Sequence, residues 1–146
     1  MAEQAPQNFA NHAKFVPAYH FVAFPLFAVN FFYWLYTTVT AFSWGNLIGL
    51  GTATALVILF FVARVMALTV QDRVIRLEER LRMRELLPAD LQAHINEFTV
   101  DQLVGLRFAS DEELPALARK VVDGNLTDRK AIKQLVQHWR ADHLRC

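Results

Sequence analysis

The chain has 146 residues, 54% of them hydrophobic and 20% charged, with a net charge of +1 and a mean hydropathy of +0.21. That hydropathy is high for a soluble domain of this size, and the near-zero charge gives no global footprint for nucleic acid or an acidic substrate. The single cysteine excludes an intramolecular disulfide.

The apolar excess lies in the first half, where only Glu3 and Lys14 precede Arg64 among the charged residues. Residues 1–17 read as a polar N-terminal tail ending at Pro17, in which Phe9, Phe15 and Val16 suit a short interfacial segment. A first membrane span is predicted over about 18–42, long enough to cross ~30 Å of hydrocarbon. It is too long and too aromatic for a signal peptide, has no small-x-small cleavage site followed by a polar mature start, and is followed at once by a second apolar run. Pro25 falls in its first turns, where a kink is tolerable. Trp34, Tyr36 and Trp44 lie toward its far end, where aromatic side chains favour the interface.

His20, Phe24, Phe27, Phe31 and Trp34 recur at steps of four and three and form one aromatic face. Such a stripe is more often packed or lipid-facing than a pigment box. His20 is its one candidate cofactor ligand, for haem or chlorophyll. No cofactor is otherwise implied. Asn30, a polar group at mid-span, needs a partner in hydrocarbon and should face another helix, together with Thr37.

The connection Ser43–Asn46 is short and uncharged, which forces an antiparallel hairpin. The second span, about 46–70, is led by Gly45, Gly49 and Ala53, a small-xxx-small series that permits close helix packing. Its expected partner is the end of the first span, near Thr37 and Ala41. Arg64 is the one charge in this apolar run, placed to snorkel toward lipid phosphates. Arg73, Arg76, Arg80, Arg82 and Arg84 follow the span, whereas the hairpin loop has no Lys or Arg. The positive-inside rule then puts both termini in the cytoplasm, with Lys14 in agreement and Arg73 and Arg76 near the headgroups.

No Gly or Pro falls between Thr52 and Leu87, so the second span is expected to continue as a charged helical arm, 71–87. On this arm Val70, Val74, Leu77 and Leu81 fit heptad positions d, a, d and a. Arg73 and Arg80 then take g, and Glu78 and Glu85 take e, an order suited to a parallel two-stranded coil. The same register runs back through Phe60, Ala53 and Gly49. Two heptads are too short to dimerise alone in water. A second copy of the chain and the chain's own C-terminal helices are both open as occupants of this seam.

Residues 88–146 read as a small module of short helices. Thr99 with Gln102, and Ser110 with Glu113, are capping boxes. Gly124 is placed to end a helix, and Thr127 to begin the last one. Ile132, Leu135, Val136 and Trp139 form an amphipathic face. So small a core is marginal and is expected to lean on the arm or on another protein.

The sequence has no glycine-rich phosphate loop, cysteine pair, nucleophile elbow or histidine pair at ligand spacing. His138, Asp142, His143 and Cys146 cluster near the end but lack the supporting residues a metal site needs. Arg119, Lys120, Arg129, Lys130, Lys133 and Arg140 are diluted by Asp123 and Asp128, which argues for a solvated face rather than nucleic acid.

The stretches "QNFANHAKFVPAYHF", "QDRVIRLEERLRMRELLP", "LRFASDEELPALARKV" and "AIKQLVQHWRADHLR" resemble an uncharacterised family of small bacterial two-span membrane proteins, a domain of unknown function. The resemblance covers nearly the whole chain. It implies a bacterial plasma-membrane protein and brings no activity or catalytic residue. The expectation is therefore an all-α, non-enzymatic scaffold or accessory subunit, acting as a homo-oligomer or within a larger membrane complex. A cofactor- or pigment-associated subunit of an electron-transfer or photosynthetic membrane complex is the alternative, and a small transporter or channel a third reading.

Overall fold

The computed structural model describes residues 7–11 and 16–142, and all its regular elements are helical. Lys14, Phe15, His143 and Cys146, singled out above, lie outside the described residues. The chain divides into two compact units: Lys14–Leu68, and Met1–Ala13 together with Thr69–Cys146. The division falls inside one long helix, α2.

The first unit begins with a π-helical stretch, Ala18–Ala23, in which the Phe24 N–H donates to the Tyr19 carbonyl. Pro25 follows directly. It has no N–H and crowds the carbonyl four residues back, and a local widening of the helix is a common way to absorb that conflict. Helix α1, Phe24–Thr40, then runs to a break at Ala41. Helix α2, Trp44–Leu86, has 43 residues, about 65 Å at the helical rise. Ala18–Thr40 and Trp44–Leu86 are both long and apolar enough to cross a membrane.

The turn between them is built on hydrogen bonds. Ser43 caps α2, its hydroxyl accepting from the Asn46 N–H at 3.1 Å. Asn46 Nδ2 donates back to the carbonyls of Thr37 at 3.2 Å and Ala41 at 2.6 Å. The Ala41 carbonyl, past the helix end, gains a donor in this way, while the Thr37 carbonyl already accepts from the Ala41 N–H at 2.9 Å.

The aromatic face of α1 packs against α2. Tyr19 stacks on Phe60 with ring centroids 4.0 Å apart, and Phe24 and Phe27 also meet Phe60. At the other end Trp34 covers Gly49 so closely that a Cβ there would lie 2.5 Å from the indole. These contacts make the pair antiparallel. Outward, Phe21, Leu26, Val29, Phe32, Val39, Ile48 and Leu59 are all exposed.

In the second unit, α2 from Thr69 onward carries a module of four short helices: α3 Ala89–Gln92, α4 Val100–Leu106, α5 Leu114–Asp123 and α6 Arg129–Leu135. Pro88 ends α2, and Gln92 Nε2 donates to the carbonyls of Leu87 (3.0 Å) and Arg84 (3.3 Å) at its free end. One core joins Met83 of α2 and Leu87 just past its end to Leu91, Phe98, Leu103, Leu106, Phe108, Leu114, Val121 and Ile132. Gly105 lets α4 and α6 touch, since a Cβ there would meet Ile132 at 2.8 Å.

The punctuation differs in part from expectation. Thr99 and Gln102 form the full capping box of α4. Ser110 accepts from the Glu113 N–H, but the Glu113 carboxylate does not return to it. It binds the backbone N–H groups of Gln137 and His138, both at 2.9 Å, and so pins the segment after α6. Gly124 ends α5 as expected, its N–H donating to the Lys120 carbonyl from a right-handed conformation, and the left-handed residue is Asn125 just after it (φ 45°). Asp128, not Thr127, caps α6 by accepting from Ala131 at 2.8 Å. Trp139 lies beyond α6, bridged to Ala109 and packed on Phe108.

Candidate functional site

The arm, α2 beyond Thr69, has two apolar faces with different fates. Ile75, Glu79, Met83 and Leu87 share one face and are all buried, with Met83 and Leu87 in the module's core and Glu79 paired to Arg140. Val70, Val74, Leu77 and Leu81 are 61%, 48%, 63% and 51% exposed. At 100° per residue the two rows lie roughly opposite one another round the helix. The module therefore does not cover the heptad row. Arg73, Glu78 and Glu85 beside that row are exposed, and they make no ion pair among the described residues.

Arg80 is different. Its Nη2 donates to the Asn96 carbonyl at 2.8 Å, while its Nε is buried without a hydrogen bond. Of the two g-position arginines, Arg73 alone projects free of the module.

The buried face holds a charge cluster that the heptad reading passed over. Glu79 meets Arg82 Nη1 at 3.1 Å and Arg140 Nη1 at 3.6 Å. Arg82 continues to Asp111 at 2.7 Å and donates to the Ala109 carbonyl at 2.7 Å. Burial pushes the Glu79 carboxyl above the usual carboxylate range, against the opposing pull of Arg82, Arg140 and Arg107. Nearby, buried Arg107 pairs with Asp142 at 3.4 Å and lies over the Phe108 ring. Lys133 approaches the same ring. The cluster ties the arm to the end of the described chain, where the Asp142 backbone also exchanges two hydrogen bonds with the Gln7 side chain.

A signal for this cluster was present in the sequence. Ile75, Glu79 and Met83 occupy outer heptad positions b, f and c, and two apolar residues among those three announce a second packing face.

The remaining candidates fall as follows. His20 sits at the hairpin's edge with Nδ1 3.0 Å from the Val16 carbonyl oxygen and 3.2 Å from its N–H. Asn30 is partly buried on the inner flank of α1, and its amide has no hydrogen bond among the described residues. The Thr37 hydroxyl donates to the Trp34 carbonyl, within its own helix. Of the small residues, Gly49 and Ala53 lie under α1, whereas a Cβ on Gly45 would meet only Ser43. With Phe60 also buried, the upstream part of the heptad row is filled by α1.

The Arg64 guanidinium lies over the Tyr19 ring, 5.7 Å from its centre, and Arg76 is exposed. Of Arg119, Lys120, Arg129, Lys130, Lys133 and Arg140, three pair with acids among the described residues: Arg119 with Asp90 at 2.6 Å, Arg129 with Asp101 at 2.5 Å and Arg140 with Glu79 as above. The first of these hydrogen bonds holds the Asp90 carboxyl below its ordinary range. Among the described residues no three side chains are placed to share a metal ion. A cleft of about 190 Å³ between His94, Glu97, Gln102 and Asn125 is rimmed by a His94–Glu97 contact of 2.6 Å. Both ends of the Gln102 side chain are already used, on Thr99 and Leu126.

A family model matches the chain over residues 1–146. The protein belongs to the DUF6526 family, a family of unknown function. No curated protein and no solved structure matches the chain. Membership in DUF6526 thus covers both units and leaves the chemistry to be argued from the residues.

Proposed function

We propose that this DUF6526 protein is a non-enzymatic membrane scaffold or accessory subunit, which inserts as a helical hairpin and presents the helical module to a partner in the cytoplasm. The observation that carries this reading is the inversion of polarity between the units. The hairpin turns Phe21, Leu26, Val29, Phe32 and Ile48 outward, which water would penalise and acyl chains would not. The module buries its apolar residues and exposes charge, as a domain in water does. The arginines in the second half of α2, set against the uncharged turn at 41–43, support a cytoplasmic side for both termini, and the bacterial plasma membrane is what the family resemblance implies. The uncovered row on the arm supplies the surface on which a partner acts.

Membrane fractionation with alkaline carbonate tests the anchor. Retention in the pellet, with a tag after residue 146 digested only in opened vesicles or permeabilised cells, is the expected result. Release by carbonate would overturn it.

A further inference from the structure

We propose that the uncovered face of the arm is a homodimer seam, in which Val70, Val74, Leu77 and Leu81 pack in parallel against the same residues of a second copy of this chain. The proposal rests on the membrane-anchored reading above, which supplies the shared orientation of the two copies.

Three observations select this occupant. First, the module packs on the opposite side of the arm, through Met83, Leu87 and the Glu79–Arg140 pair, so the seam can close without moving it. Second, the flanks are sorted by sign: Arg73 on one side of the row, Glu78 and Glu85 on the other. In a parallel pair Arg73 faces Glu78 of the second copy, twice by symmetry. An antiparallel pair would set arginine against arginine and glutamate against glutamate, so the charges choose the orientation as well as the partner. Third, these carboxylates and Arg73 are not engaged elsewhere among the described residues.

Two heptads would not hold two chains together in free solution. Chains confined to one bilayer and inserted with the same orientation meet at a far higher effective concentration, which offsets that deficit. Arg80 is held by the Asn96 carbonyl, so Arg73 with Glu78 is the diagnostic pair.

The test uses the full chain in membrane vesicles, with Cys146→Ser as background and Val74→Cys as the reporter at an a position. Mild oxidation should give a disulfide-linked dimer, and Arg76→Cys, on the outer c position, should give little. R73E and E78R should each lower the dimer yield about five- to tenfold, as expected for two modest ion pairs turned repulsive. R73E/E78R together should restore it to within about twofold, the outcome that a fold defect cannot mimic. Failure of the double variant to recover, a monomer throughout, or an adduct of the V74C chain with a different protein would each overturn the seam. The same vesicles are washed with alkaline carbonate. A retained monomer rejects the seam alone, whereas release of the protein rejects the membrane reading beneath it.

Discussion

The two faces of the arm make an instructive pair. One carries four branched apolar residues in sequence, Val70, Val74, Leu77 and Leu81, and is exposed. The other is interrupted by a glutamate and is buried. Apolarity alone would have assigned them the other way round. What decides is complementarity: Glu79 finds Arg82 and Arg140, and the backbone of the module closes round Arg82 through Ala109. A buried carboxylate costs several kcal/mol of desolvation and is tolerated only where such partners exist. The purely apolar row demands nothing of the chain's own module and stays free for a partner.

This contrast can be broken or sharpened by substitution. Met83→Ala, on the covered face, should cost about 2–5 kcal/mol of unfolding free energy in denaturant titrations, because Met83 is fully buried at the junction with the module. A loss under 1 kcal/mol would mean that the module does not depend on the arm.

Glu79→Ala should cost less, about 1–3 kcal/mol, since Arg82 keeps Asp111 and the Ala109 carbonyl while Arg140 loses its carboxylate. Glu79→Gln keeps an acceptor for Arg82 and should be milder still. It also carries a pH signature. The Glu79 carboxyl is raised by burial, so the native state holds its proton more tightly than the unfolded chain does. The stability that this proton contributes is complete below the ordinary glutamate range and is lost as pH rises through the raised value. Over that window the wild type should lose stability relative to E79Q. A gap that instead widens in favour of the wild type would show that the arginines outweigh burial.

Much of the architecture was legible in the sequence because it follows from local rules. The two apolar helices, the uninterrupted path from Thr52 to Leu87 and the Thr99–Gln102 capping box need only a pattern and the absence of breakers. Less legible were features whose partners lie far along the chain. Glu113 looked like a local cap but reaches the backbone at Gln137 and His138. Asn46 looked like a loop residue but closes the end of α1. Trp139 fits the helical period of α6 yet lies past its end, drawn away by Ala109 and Phe108. For the candidate site, the heptad row was plain from spacing, whereas the second face was hidden by the charge at its centre. Periodicity finds faces. It does not say which of two faces the chain will use for itself.

The most direct test of the account separates those two uses. Leu77→Gln with Leu81→Gln keeps good helix formers on the exposed row while removing its apolar surface. In detergent, at a dilution where the chain is monomeric, unfolding free energy should stay within about 0.5 kcal/mol of the wild type. In vesicles, the disulfide yield through V74C should fall to background. A loss of folding stability comparable to that of Met83→Ala, or an undiminished yield, would contradict the division of the arm into a folding face and an association face.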